Sequence, residues 1–466
     1  MLAAPDSRSR VPRPMGRVSM FRRMSWWCAT ALSATVLIPT VALAGNSAGS
    51  AAERSSGSTT GVWPGVGQIC GPGPGGGSSV RGVSTKAIHI AVFTDAANTV
   101  QPGLDVEFPQ FADAFAKWCN AAGGIDGRQI VVDTEDGALF NAGQVMTQAC
   151  QQDFMSVGGG LVLDTAAVPI RVACGLGQIT PFTVSDQSVD AALQVNPGGI
   201  NNSEMEAGWY GALAKKYPTA IKHFGTGGAN QASILEQEHK DEQAAVAQGY
   251  KVVDFQEPPL TVTDWAPYIE EAQSKGVEAL EPAASSNVGP YFQAMATAGY
   301  NPAFVYMYAN LYVKATAQAT ASLHLPPTYL ALVDWPFELA SQSPGLTELD
   351  TVMHKYAPGT AIDQNDELAA TSWVLFAKSA TACGANLTVS CVLSHAAAQK
   401  NWTAGDIQAP VAQEAMSDQN PTPSDCFTMV QLQSGKFTWD KSLTDPNNSI
   451  WHCDPKTLFH VTSTGS

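Results

Sequence analysis

The stretch KAIHIAVF at residues 86–93 places Ile88, Ile90 and Val92 at alternate positions, the two-residue period of a strand with one buried face. A helical face follows, because Phe108, Phe111, Ala112, Phe115 and Cys119 recur at three- and four-residue spacing. Gly123 and Gly124 then stop the helix, since glycine enters the left-handed conformation of helix C-termini without a Cβ penalty. Asp126-Gly127 supplies turn chemistry, and Ile130, Val131 and Val132 return as a buried strand. A strand, a helix and a strand in that order close almost always as a right-handed parallel crossover. This unit commits the chain to an α/β fold in which helices cover a parallel sheet.

The alternation continues in two series. The first runs on through QIVVDTED, a helix holding Val145, Met146, Ala149 and Cys150, the segment FMSVGGG, a helix around Ile170 and Val172, and ITPFTV and ALQVNP. The second begins near Ser203 with MEAGWYGALAKKY, AIKHFG, QASILEQEHKDEQAAVAQG and YKVVDFQEP. It continues through DWAPYIEEAQSKG, VEALEPA, VGPYFQAMATAGY and AFVYMYA. The helices TELDTVMHKYA and DELAATSWVLFAKSATACG have no strand series of their own and are expected to dock back onto a lobe. CFTMVQLQSGKFTW reads as a hairpin turning at Ser434-Gly435. A chain of 466 residues has room for two such doubly wound, Rossmann-like lobes.

Charge removes one class of partner. The first 44 residues hold six of the 25 basic residues and one of the 41 acidic ones, leaving 19 against 40, a formal charge of −21. Such a surface repels phosphate backbones, so no nucleic-acid partner is expected. Arg17, Arg22 and Arg23 precede the apolar run WWCATALSATVLIPTVALA, and Ala42-Leu43-Ala44 has the small-x-small pattern of a cleavage site. Residues 1–44 are therefore read as a secretory signal with the mature chain starting near Gly45, and the protein as secreted or held in the cell envelope. An uncleaved signal acting as membrane tether is the alternative. Residues 45–83, rich in Gly, Ser, Pro and Ala, read as a low-complexity linker.

Eight cysteines remain outside the signal, an even number that suits an oxidising compartment. Spacing favours Cys383 with Cys391 and Cys426 with Cys453, then Cys150 with Cys174, and Cys70 with Cys119 by elimination. No CxxC or Cys/His cluster argues for zinc, so no metal is expected.

NAAGGIDGRQIVV, DWAPYIEEAQSKGVEAL and MATAGYNPAFVY, in this order along the chain, resemble the type I periplasmic binding proteins. The resemblance is to the branched-chain amino-acid (Leu/Ile/Val) type that serves ABC transporters. It implies two lobes joined by a three-strand hinge, with crossovers near 195–207, 328–337 and 420–427. The implied first lobe is 84–204 plus 337–426, the second 205–336 plus 427–455, and 456–466 a tail. It further implies a monomer that holds a small-molecule ligand between the lobes and docks on a transporter permease, without a cofactor.

In open parallel sheets, ligands sit beyond the carboxyl ends of the strands. The first-lobe loops there offer Asp95, Asn98 and Gln101, then Asp164 and Thr165, then Thr183 and Ser185. The second-lobe loops offer Asn230, Ser285, Asn287, Tyr308 and Asn310, with Tyr306 and Tyr312 as aromatic walls or as core. Where the family grips the ligand carboxylate with hydroxyls, GGGLVLDTAA supplies Asp164 and Thr165; Asp164 either faces the ligand or caps the following helix. Where the family places an acid for the ammonium, this chain has Tyr308. The departure implies a small organic ligand other than a standard zwitterionic amino acid; branched-chain amino-acid binding and a sensor without a transporter are the alternatives.

No catalytic residue stands out. Glu236, Glu238 and His239 lack the paired histidines of a zinc motif and read as a solvated helix face. GTGGAN lacks the lysine of a phosphate loop, there is no G-x-S-x-G elbow, and His89 and His223 fall within strand patterns as structural histidines.

Overall fold

The structure, a computed structural model, describes residues 60–76, 80–283, 288–411 and 422–462. The expected signal at 1–44 lies outside the described residues. None of the described helices is long and apolar enough to cross a membrane.

The chain enters through a short antiparallel pair, β1 (Val62–Trp63) and β2 (Gly67–Gln68). The opening βαβ unit is then present as read: β3 (Ala87–Thr94), α1 (Glu107–Ala121) and β4 (Gln129–Asp136), with β3 and β4 parallel and in register from Ala87↔Gln129 to Thr94↔Asp136. Gly124 is left-handed at φ +79°, and a Cβ there would lie 2.1 Å from the Arg128 carbonyl oxygen. Only glycine fits where the chain folds back against its own return strand.

Next come α2 (Ala142–Gln152), β5 (Met155–Val157), α3 (Val168–Cys174), β6 (Gly177–Ile179), α4 (Asp186–Val189) and β7 (Gln194–Val195). They complete a five-stranded parallel sheet in the order β4-β3-β5-β6-β7. Both faces are covered. Ile88, Ile90 and Val92 pack into one core with the aromatic face of α1, while Ala91 and Phe93 join Val145, Met146 and Ala149 of α2 in another.

The second series runs β8 (Glu204–Glu206), α5 (Gly208–Lys216), β9 (Phe224–Gly227), α6 (Ala232–Ala247), β10 (Val252–Gln256), α7 (Ala266–Ser274), β11 (Ala279–Leu280), α8 (Val288–Ala298), β12 (Phe304–Met307), α9 (Lys314–Thr320) and β13 (Thr328–Leu332). After it, α10 (Pro344–Tyr356), α11 (Gln364–Cys383) and α12 (Val389–Ala397) return to the first lobe, where Leu349, Val352, Trp373 and Val392 share a core with Phe111 and Phe115. The chain then re-enters the second sheet as β14 (Cys426–Gln433) and β15 (Lys436–Trp439), followed by α13 (Lys441–Thr444), β16 (His452–Cys453) and β17 (Leu458–His460). The sheet order is β10-β9-β11-β12-β13-β14-β15, with β14 antiparallel to both of its neighbours in that order. The β14–β15 turn falls at Ser434-Gly435, both at positive φ.

All four expected disulfides are present: Cys70–Cys119, Cys150–Cys174, Cys383–Cys391 and Cys426–Cys453.

The linker expectation needs correcting over its described part. Trp63, Ile69 and Cys70 are fully buried in the first-lobe core, and Trp63 donates from Nε1 to the Ala404 carbonyl at 3.0 Å. One indole, Ile69 and one disulfide anchor a run otherwise dominated by glycine and proline. Composition averaged over the run hides them.

Candidate functional site

Beyond the carboxyl ends of the strands lies a cavity of about 770 Å³, walled by both lobes. Leu104, Leu139, Val162, Phe182 and Val184 form the first-lobe wall, and Ile234, Leu260, Val288, Val313 and Ala319 face them from the second. Volume and lining both fall in the range of sites that enclose a small organic molecule.

The positions expected from sequence divide into groups. Gln101, Thr183, Tyr308 and Asn310 line the cavity. The Thr183 hydroxyl is buried with no hydrogen-bond partner among the described residues, which leaves it available to a ligand. Asp95 and Asn98 instead build the wall. Asp95 accepts the backbone N–H groups of Leu139 and Val162, each at 2.7 Å, which pins two cavity loops together. Asn98 accepts from the Gln101 N–H at 2.6 Å and closes its own turn.

Asp164 neither faces the cavity nor caps α3. Its carboxylate takes the N–H groups of Val184 at 2.9 Å and Ser185 at 3.1 Å, clamping the loop that presents Thr183. Ser185 caps α4 through the Ser188 N–H at 3.1 Å. Thr165 and Asn230 are exposed, and neither lines the cavity. Ser285 and Asn287 lie outside the described residues. Tyr306 and Tyr312 are core rather than wall: Tyr306 packs with Tyr210, and Tyr312 stacks on Phe337 with ring centroids 3.9 Å apart.

Helix α6 carries what the sequence reading missed. Glu238 is buried against the cavity and accepts a hydrogen bond from the Tyr308 hydroxyl. Glu236 accepts the Asp186 N–H at 3.0 Å, and Lys240 pairs with the Asp186 carboxylate and donates to Asn202 Oδ1 at 2.6 Å. The solvated-face expectation therefore fails for Glu236 and Glu238, while His239 is part-exposed beside Glu242: α6 turns toward the first lobe and latches it at Asp186. Burial, with Glu281 and Asp241 adding repulsion, holds the Glu238 carboxyl well above the usual range.

Gly228 makes room for Glu238, because a Cβ there would lie 2.4 Å from Glu238 Cγ. That glycine, directly after β9 within the GTGGAN stretch, is the local signal that a side chain approaches. Gly228→Ala is expected to displace Glu238, break its bond to Tyr308 and cost about 1–3 kcal/mol in urea unfolding.

Half of the remaining polar lining residues are acidic. Asp105, Glu107 and Asp363 line the cavity with Asn365, whose Nδ2 lies 3.4 Å from both Asp105 Oδ1 and Glu107 Oε2. Asp105 and Asp363 are only 6% and 7% exposed, and Asp105 Oδ2 and Asp363 Oδ1 have no hydrogen-bond partner among the described residues. Burial raises Asp105 to about 8, reinforced by Asp95 and Glu107, and raises Asp363 to about 7, reinforced by Glu107. Lys240, committed to Asp186, is the sole lysine or arginine among the described lining residues.

Residues 187–436, over half of the chain, match the family described as periplasmic binding protein. The chain belongs to the periplasmic binding protein family. No curated protein matches it in sequence. A fatty acid ABC transporter substrate-binding protein from Thermomonospora curvata shares the fold of this periplasmic binding protein at 15% identity and a TM-score of 0.62, over 81% of this chain and 98% of that one. The branched-chain amino acid transporter substrate-binding protein LivJ from Streptococcus pneumoniae, solved with isoleucine, shares it at 17% identity and a TM-score of 0.61, over 76% and 98%. At these identities the likeness shows the type I two-lobed fold alone.

Proposed function

We propose that this periplasmic binding protein captures, outside the cytoplasm, a small apolar molecule with a neutral or cationic hydrogen-bond-donating head and delivers it to an ABC importer. The observation that carries the reading is the cavity wall: apolar side chains from both lobes, interrupted by Asp105, Glu107, Asp363 and Glu238 with one committed lysine. An apolar body fills the first. Buried carboxyls with open oxygens suit an amine, amide or hydroxyl, and a cationic head would stabilise their ionised form, whereas a carboxylate head would disfavour it.

The mechanism is clamshell capture. Ligand contacts one lobe and stabilises closure by adding contacts to the other, so its differential affinity for the closed form drives the change. No bond is made or broken, and a permease would read the closed surface of the monomer. Branched-chain amino-acid binding is the second reading, favoured by one observation: Glu238 sits at the Tyr308 hydroxyl, close to where the family places its ammonium-binding acid.

A thermal-shift panel of alkylamines, amides, alcohols, fatty acids and branched-chain amino acids separates the two. A ligand at a hundred times its Kd adds about 2.7 kcal/mol to stability. Shifts with amines, amides or alcohols are expected; shifts with leucine, isoleucine or valine alone would favour the second reading.

A further inference from the structure

Three side chains with metal-ligand chemistry converge on the first lobe, away from the cavity. His89 projects from β3 and Asp133 from β4, with His89 Nδ1 2.9 Å from Asp133 Oδ2. Asp153, between α2 and β5, completes the group, and one ligand atom from each residue lies within 4.8 Å of the others. The cavity lies beyond the carboxyl ends of these strands, whereas Asp153 precedes the first residue of β5.

Burial is graded across the three. The His89 and Asp133 side chains are 43% and 25% exposed, so the group is reachable from solvent, while Asp153 is fully buried beneath them. Neither Asp153 carboxylate oxygen has a hydrogen-bond donor among the described residues. Arg81 attracts the carboxylate but spends its N–H groups on backbone, Nε on the Asp153 carbonyl at 2.7 Å and Nη1 on the Cys174 carbonyl at 3.0 Å. Glu135, also buried, stands behind the group and adds negative charge. Buried carboxylates are normally paired, hydrogen-bonded or bound to a metal.

We propose that His89, Asp133 and Asp153 bind one divalent transition-metal ion such as zinc(II), with solvent at its open position. Imidazole nitrogen with carboxylate oxygen suits zinc and its first-row neighbours, whereas magnesium asks for an all-oxygen octahedral shell. Bonds of about 2.0–2.2 Å place neighbouring ligand atoms roughly 3.0–3.5 Å apart, close to the separation already present between His89 and Asp133. Bound there, the ion ties β3, β4 and the α2–β5 turn together and acts as a clip within the first lobe.

The test is calorimetric titration of zinc(II), and separately magnesium(II), into the chelator-treated full-length protein, with melting temperatures recorded in parallel. One equivalent of zinc and a raised melting temperature are expected, with no magnesium uptake. Asp153→Asn and His89→Ala should each weaken zinc binding at least tenfold and remove the thermal shift. His354→Ala, on an exposed helix face away from the group, should leave both unchanged. His89 is partly exposed, so its variant carries the test if Asp153→Asn does not fold. Absence of zinc binding to the folded protein, or binding that survives the substitutions, would overturn the proposal.

Discussion

Replacing Trp63 by alanine is expected to lower unfolding stability by about 3–5 kcal/mol, the cost of removing a fully buried large aromatic. The indole packs edge-on against Trp118 at 5.7 Å and tilted against Phe115 at 6.1 Å, and its N–H reaches the Ala404 carbonyl. Its loss opens a cavity inside the first-lobe core and strips a buried carbonyl of its donor. Urea denaturation measures the effect. A passive tether would give a change near zero, so the two descriptions of residues 60–76 differ by several kcal/mol.

Stability should fall as pH rises from about 5 to about 8.5. Buried acids without cationic partners cluster where α11 begins beside the cavity. Burial holds Asp105 near 8 and Asp363 near 7, and keeps Asp366 and Glu367 well above the usual carboxylate range. The N-terminus of α11 favours their ionised forms, but burial outweighs it. A carboxyl raised in the folded chain keeps a proton that the unfolded chain releases near pH 4. Its contribution is therefore fully present below that value and is lost as pH climbs through the folded one. Summed over the cluster, the loss is on the order of several kcal/mol. Melting temperatures across this range should decline, and Asp105→Asn should flatten the decline. A profile that is flat or rises toward pH 8 would contradict the account.

Legibility in the sequence followed the range of the physics. The βαβ unit, the β14–β15 hairpin and the cysteine pairs are written in local period, turn residues and spacing, and each is present in the structure. Trp63 was illegible because its partners, Phe115 and Ala404, are far along the chain. Glu238 lay in a run of charges that looks solvated on a lone helix; its burial follows from the approach of Gly228 and Tyr308.

The loops of the site could be located from the ends of the strands, but the direction of each side chain could not. Asp95 and Asp164 sit in those loops yet spend their oxygens on backbone N–H groups of neighbouring loops. Asp105, at the end of a loop located from the sequence but not itself singled out, and Asp363, from a segment not singled out, supply carboxyl oxygens that line the cavity without a partner among the described residues.

The most direct test of the central claim, an apolar cleft that selects a donor head, is calorimetry with octylamine, octanol, octanoate and leucine. The first three share one apolar body and differ only in the head. The account predicts that octylamine and octanol bind at least tenfold more tightly than octanoate, with leucine weaker than both. Octanoate or leucine binding tightest would contradict it.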